Sequence, residues 1–282
     1  MKRATRNSIL IHVAAIIVSI VILAPFLWMV VASISPQRVL ISTPLKWIPD
    51  TFDFSRYQTI FQGGSDSVGA TFRAAMGNSI IVAVGVVIVS MIVGILGAYA
   101  FARLRFRFRR VVLVLFLATY MLPQIALLIP LYLILSQLGL LDTTTGLIFV
   151  DCALVIPFVL WILSNYFMTI PDELEEAARI DGTTRMGALW HVILPAARPG
   201  IFAAIMFSFL LAWDEFLYAL IFTSSDAAKT LPVAISEFAG RYTTDFGLVA
   251  AGGILAALPP IIVAIIFQRY VVSGMAAGAV KG

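Results

Sequence analysis

Cysteine occurs once in the 282 residues, as Cys152, and histidine twice, as His12 and His191. A single thiol excludes an internal disulfide and any Cys-based zinc or redox pair. The two histidines fall in different segments with no metal partner beside them. Charge is scarce too: 12% of residues are Asp, Glu, Lys or Arg, against roughly 25% in soluble domains. Nineteen basic residues against fifteen acidic ones leave +4, too small an excess on so apolar a chain for nucleic acid to be a partner. Catalytic motifs are also missing. No G-x-x-x-x-G-K-[ST], H-E-x-x-H or G-x-S-x-G is present, and the one Lys-Thr pair, Lys229-Thr230, lacks the glycines. Without a nucleophile and base in evident partnership, the chain is expected to be no enzyme and to hold no cofactor itself.

Apolar sequence, by contrast, is abundant: 61% of residues, with a mean hydropathy of +1.01. A soluble surface of this size needs more polar cover, so lipid must be the solvent for much of the chain. A spanning helix takes about 20 apolar residues. Charge-free stretches run over 7–37, 74–102, 111–141, 152–171, 199–213 and 246–268. They predict helices near 9–33, 78–101, 111–137, 147–168, 200–223 and 247–267, the fifth interrupted by Asp214 and Glu215. Barrel strands would alternate with period 2, whereas these runs are continuously apolar. The expected fold class is all-α integral membrane, one six-helix transmembrane domain over 1–282 with no repeat and no second soluble domain. Loop 34–77, rich in Pro and Gly, predicts turns on the outer face.

Direction follows from the cations. The termini and loops 102–110 and 169–199 carry thirteen Lys/Arg, the opposite side six. Both termini are therefore expected in the cytoplasm, and the run Arg103–Arg110 marks topology and membrane lipid headgroups. The first apolar run is too long for the h-region of a cleaved leader, so it is expected to remain as a span.

The longest cytoplasmic loop is patterned. Pro171 suits the start of a helix, and Asp172 and Glu173 favour the positive end of its dipole. Leu174, Ala177, Ala178 and Ile180 form a small apolar patch, and Gly182 can end the helix in a left-handed turn. Thr183 or Thr184 can cap a second short helix that Pro195 would stop. Two alanines leave a low surface for another protein to pack against.

Glu176-Ala177-Ala178, three residues, Gly182, nine residues, then Val192-Ile193-Leu194-Pro195 resembles the EAA loop of ATP-binding-cassette importer permeases. The family pattern is E-A-A-x3-G-x9-I-x-L-P, and only Val192 departs from it, keeping apolar character. Ile170 to Ala178, Trp213 to Leu217, Thr230-Leu231-Pro232 and the tail Ser273–Gly282 are similar to the carbohydrate-importer, maltose-permease branch, so the resemblance covers most of the chain. It implies a multi-pass permease domain of a bacterial cell inner membrane, with a coupling helix-turn-helix over 169–199 between the fourth and fifth spans. Implied partners are a second permease subunit, two cytoplasmic ATPase subunits and an extracytoplasmic sugar-binding protein. ATP and Mg would sit on the partner ATPase. Glu175, Glu176, Ala177, Ala178, Arg179, Asp181 and Gly182 would face that ATPase, Glu176 making the first polar contact. Tail 273–282 would touch the ATPase pair, and loop 224–246 would approach the binding protein.

Charges within the spans are costly and point to function. Asp214 and Glu215, expected about 20 Å along the fifth helix and about 100° apart, would turn one to the translocation path and the other to a helix neighbour. Carboxylates accept hydrogen bonds from sugar hydroxyls, and Trp213 can stack on a pyranose; a polar cluster holding helices together is the plainer reading. Asp151 is expected about one turn inside the fourth helix, near interfacial water. Asn165 and Gln124 are lesser candidates, and Pro123 and Pro130 should bend the third span. A proton-coupled secondary transporter using Asp214, Glu215 and Asp151 is the reading from another class, though such proteins carry more helices or inverted repeats. Within the importer class the cargo is a sugar or oligosaccharide, or else a glycerol phosphodiester or polyol derivative.

Overall fold

A computed structural model describes the backbone of residues 2–44, 46–62, 64, 67–238 and 245–279, and the side chains of those lying between 8 and 270. Every regular element among the described residues is helical. In chain order they are α1 (Lys2–Ser33), α2 (Gln37–Leu40), α3 (Ser55–Gln62), α4 (Val68–Arg103), α5 (Arg109–Thr119), α6 (Gln124–Leu138), α7 (Thr144–Met168) and α8 (Asp172–Ile180). Then come α9 (Arg185–Ala188), a π turn (Leu189–Ile193), α10 (Leu194–Ala196), α11 (Arg198–Trp213), α12 (Leu217–Phe222), α13 (Leu231–Phe238) and α14 (Phe246–Ala279).

Four helices are single apolar spans: α1, α4, α7 and α14. Two further crossings are bent pairs, α5 with α6 at 93° and Arg185–Ala196 with α11 at 81°. Counting each pair once gives six. At 36 residues, α4 is roughly 54 Å long, well beyond a hydrocarbon core of about 30 Å. It begins ten residues before the expected start at 78, so loop 34–77 is shorter than expected and holds α2 and α3.

The chain divides into two compact units, Met1–Arg73 with Ala234–Leu258, and Ala74–Val233 with Pro259–Gly282. The first is organised by a buried cation. Arg56 is 5% exposed and donates from Nε to both oxygens of Asp245, at 2.9 and 3.2 Å, and from Nη1 to the Ser35 carbonyl at 2.6 Å. Asp245 also accepts from the N–H groups of Gly247 and Leu248 at 3.0 and 3.1 Å, capping the start of α14. A Cβ at Gly247 would stand 2.1 Å from Arg56 Cζ, so the arginine packs where only glycine leaves room. The apolar window of α1 has no buried residue.

The second unit is built on α7, the most buried span. Its N-cap Thr143 accepts from Gly146 N at 3.0 Å. Ideal Cβ atoms at Gly85, Gly94 and Gly97 of α4 would fall 2.6, 2.4 and 2.4 Å from Ile148, Val159 and Leu160. The two helices thus approach along a seam of missing side chains, the usual device for close packing in lipid.

A short loop before α7 ties down the segment after α12. Asp142 Oδ1 accepts from the N–H groups of Ser224 and Ser225 at 2.9 and 3.0 Å. Partial burial alone would raise its pKa, but these donors outweigh it and hold the carboxyl at about 2, below the ordinary 3.8. Its stabilisation is therefore full above the ordinary value and lost as pH falls through about 2. Asp142 lies at φ 56, a conformation that Asn tolerates, so Asp142→Asn isolates the charge. Melting curves in detergent should separate wild type from the variant near neutrality and converge as the pH drops through about 2. A gap that stays constant across that range would mean the charge is not what holds the loop.

Candidate functional site

Two helix breaks meet in the second unit. The third crossing stops at Thr119 and restarts at Gln124, because Pro123 supplies no N–H and fixes an extended N-cap. Pro130 remains inside α6. The fifth crossing stops at Trp213; Asp214 is its C-cap, and α12 begins at Leu217. Glu215 fills the gap, its Oε1 accepting from Tyr218 N at 2.8 Å and its Oε2 from Ala219 N at 2.9 Å. Tyr218, fully buried, donates from its hydroxyl to the Gln124 carbonyl at 3.3 Å. One break is thereby tied to the other.

Between them lies a cavity of about 460 Å³, within the 300–1,000 Å³ range of small-molecule sites. Tyr120 and Gln124 line it from the third crossing, Asp151 from α7, and Asp214, Glu215 and Phe216 from the fifth. Among the described residues no Lys, Arg or His lines it. Asp214 is exposed to the cavity. Asp151 is 2% exposed and its Oδ1 has no hydrogen-bond partner.

Several expectations are corrected here. Asp214 and Glu215 are not part of a continuous fifth helix, because the helix stops at Trp213 and Glu215 caps the start of α12. Asp151 lies about two turns along α7, which begins at Thr144, and is 2% exposed in the wall of the cavity. Trp213 offers no platform to a sugar. It is 3% exposed, its ring stacked on Phe209 at 5.4 Å. Tyr120, 48% exposed and stacked on Phe158 at 6.2 Å, Phe207 and Phe216 are the aromatic rings that line the cavity instead. Asn165 donates to its own helix, to the Trp161 carbonyl at 2.8 Å.

The second cluster surrounds α8. Pro171 stands one position before its first helical residue, followed by Asp172 and Glu173. At its far end Gly182 has φ +91, Gly182 N donates to the Arg179 carbonyl at 3.1 Å, and Thr183 N to the Ala178 carbonyl at 3.1 Å. This is a Schellman ending. Thr184 caps α9 through Gly187 N at 3.1 Å. The second helix ends at Ala196, one residue past Pro195, and the chain bends by 81° into α11, as a proline stop requires.

Helix α8 has two unlike faces. Glu175, 8% exposed, turns inward and accepts from the Tyr99 hydroxyl at 2.6 Å. Arg103 pairs with Asp172 and, through Nε, with Glu175 at 3.4 Å, while its Nη2 donates to the Ile170 carbonyl at 2.8 Å. Glu176, Ala177, Arg179, Asp181 and Gly182 are exposed and Ala178 half-buried. Ile180 is 86% exposed. Glu175, placed by the sequence among the residues facing a partner, thus serves the chain's own packing. Tyr99 and Arg103 were missed: their signal was the spacing of one helical turn at the end of a span, and Arg103 read as one more topology charge. The tail 280–282 lies outside the described residues, as do the side chains of 273–279 and residues 239–244 of loop 224–246. Of that loop, Ser224 and Ser225 are bound by Asp142, and Asn78 donates to the Asp226 and Lys229 carbonyls at 3.0 Å each.

Residues 90–277 match the family described as binding-protein-dependent transport system inner membrane component. The chain belongs to that family. It is 36% identical over 283 residues, the full length of both chains, to the trehalose/maltose transport system permease protein MalG of Thermococcus litoralis. It is 38% identical over 262 residues, 92% of this chain and 93% of the other, to the trehalose transport system permease protein SugB of Mycobacterium tuberculosis. Among solved structures it resembles a chain of a bacterial ABC transporter that imports the acidic polysaccharide alginate, with a TM-score of 0.77 and 26% identity over 96% of this chain and 98% of that one. As an inner membrane component of this family, the chain carries both clusters within the matched range. Among the described residues no group of three His, Cys, Asp or Glu side chains could hold a metal ion.

Proposed function

We propose that the chain is the transmembrane subunit of an ATP-driven importer, forming half of the pathway for a sugar or oligosaccharide handed over by an extracytoplasmic binding protein. Helix α8 then seats in a partner ATPase, which holds ATP and Mg and does the hydrolysis. A second permease completes the pathway, and both termini face the cytoplasm with α8. The observation that carries this reading is the two-faced α8: Glu175 is locked to Tyr99 and Arg103, while Glu176, Ala177 and an 86%-exposed Ile180 are turned outward. Leu174, 47% exposed, Ala177 and Ile180 follow one another at near-helical spacing on the outward side of α8, an apolar strip against which another chain can pack. The sugar reading draws support from the relatives named for trehalose and maltose transport.

Co-purification tests the assignment. Wild type should retain a co-expressed ATPase subunit, and Glu176→Lys with Gly182→Pro should lose it while still inserting in the membrane. The first change reverses the exposed charge, and the second forbids the φ of +91 at Gly182. Equal retention by both, or uptake driven by a proton gradient alone, would replace this reading with a secondary transporter.

A further inference from the structure

The cavity at the two breaks carries an electrostatic signature. Three carboxylate residues line it and, among the described residues, no cation does. They are not equivalent. Both oxygens of Glu215 are occupied by the N–H groups of Tyr218 and Ala219. Asp151 is 2% exposed, and its Oδ1 has no donor. Asp214 is exposed to the cavity. A buried polar atom without a partner costs free energy and calls for an explanation, and an ionisable group inside a membrane span calls for one twice over. A metal is not the explanation, for the carboxylates do not converge as ligands. What the site has in excess is carboxylate: against Asp151, Asp214 and Glu215 stand the neutral donors of Thr119, Tyr120 and Gln124 and, among the described residues, no cation.

Resting on the importer reading above, we propose that this cavity is a glycosyl subsite on the permease itself, accepting neutral or amino-substituted sugar units and rejecting acidic ones. A sugar hydroxyl or ammonium brings the donor that Asp151 and Asp214 lack, and the rings of Tyr120 and Phe216 border the same space. A uronate, sulfonate or phosphodiester brings more acceptors and a like charge. In a site walled by Leu154, Val155, Leu210 and Leu211 such repulsion is poorly screened. The glycerol phosphodiester cargo is thereby disfavoured.

The test uses the assembled importer in detergent, without its binding protein, so that the permease alone is read. Leu211→Cys, on the cavity wall and 37% exposed, is labelled with a maleimide in a Cys152→Ala background. The probes are a neutral disaccharide transported by the wild-type importer, its amino analogue and its uronic acid analogue. The neutral and amino probes should slow labelling, with half-protection at concentrations at least about tenfold below that of the acidic one. Asp214→Lys should reverse the order, and Asp151→Asn should weaken protection by all three. If Asp151→Asn fails to insert, the Asp214→Lys comparison still decides. Protection by the acidic probe equal to that by the neutral one, or no protection by any, overturns the subsite. Failure of the importer reading would look different: no sugar enters vesicles with ATP, and no ATPase co-purifies.

Discussion

Replacing Arg103 by Ala should uncouple sugar uptake from ATP hydrolysis while leaving the ATPase bound. Arg103 is the cation shared by Asp172 and Glu175 at the seat of α8, and its side chain is 7% exposed. Removing one partner of a buried pair costs about 3–5 kcal/mol, because the other charge is left uncompensated. Here the group that loses its ion pair is Glu175, which keeps the Tyr99 hydroxyl and shares its cavity with Arg105, Arg179 and Arg185, so the cost falls at the lower end of that range. The outward face with Glu176, Ala177 and Ile180 is untouched, so retention of the ATPase on purification should be unchanged. Uptake per ATP hydrolysed should fall at least about tenfold, equivalent to about 1.4 kcal/mol. Arg103→Lys keeps the charge but not the planar fork that reaches Asp172, Glu175 and the Ile170 carbonyl together, and should be intermediate. Uptake per ATP equal to wild type in Arg103→Ala would sink the idea that this anchor transmits movement.

The second large effect belongs to the seam between α4 and α7. Gly94→Leu should leave little folded protein in detergent extracts. An ideal Cβ at Gly94 already sits 2.4 Å from Val159 Cγ1, and at Gly97 2.4 Å from Leu160 Cδ2. Both neighbours are buried and cannot swing away without disturbing α7. Overpacking typically costs about 1–3 kcal/mol, and a leucine forces the helices themselves apart. Gly77 of the same helix is the control: no atom lies within 4 Å of its Cβ position, so Gly77→Ala should be neutral or stabilising by up to about 1 kcal/mol. Gly94→Ala combined with Val159→Ala should recover much of what Gly94→Ala alone loses. Melting temperatures of the extracted protein check the series; equal losses for Gly77→Ala and Gly94→Ala would mean that close packing at the seam is not what the substitutions disturb.

The spans were legible because charge is so costly in hydrocarbon that its absence marks each crossing. What a hydropathy run does not carry is where a span breaks. Pro123 announced the bend in the third crossing, yet the break at Asp214–Phe216 depends on Glu215 turning back to cap α12 and on Tyr218 reaching Gln124, contacts set by tertiary packing. Asp151 shows the same limit: its distance from the end of an apolar run suggested interfacial water, while the fold buries it in the wall of the cavity. At α8 the motif showed which residues form the helix but not which way it is rolled. Glu175 and Glu176 are adjacent and chemically alike, and a turn of about 100° sends one to Tyr99 and the other outward. Gly182 and Thr184 were readable because a left-handed turn and an N-cap are local chemistry.

The endings of α8 have a mechanical consequence. Acidic residues in its first turn, where the helix dipole favours negative charge, and a Schellman turn after its last residue hold the nine-residue helix against fraying, as a rod of about 13 Å. Glu175, pinned to Tyr99 and Arg103 of α4, would be its pivot, and Ile180 lies near the end that turns into α9. Under the importer reading proposed above, such an arm would work as a lever. A push near Ile180 would reach the end of α4 as a shorter displacement of greater force, whereas a frayed helix would absorb the same push as bending.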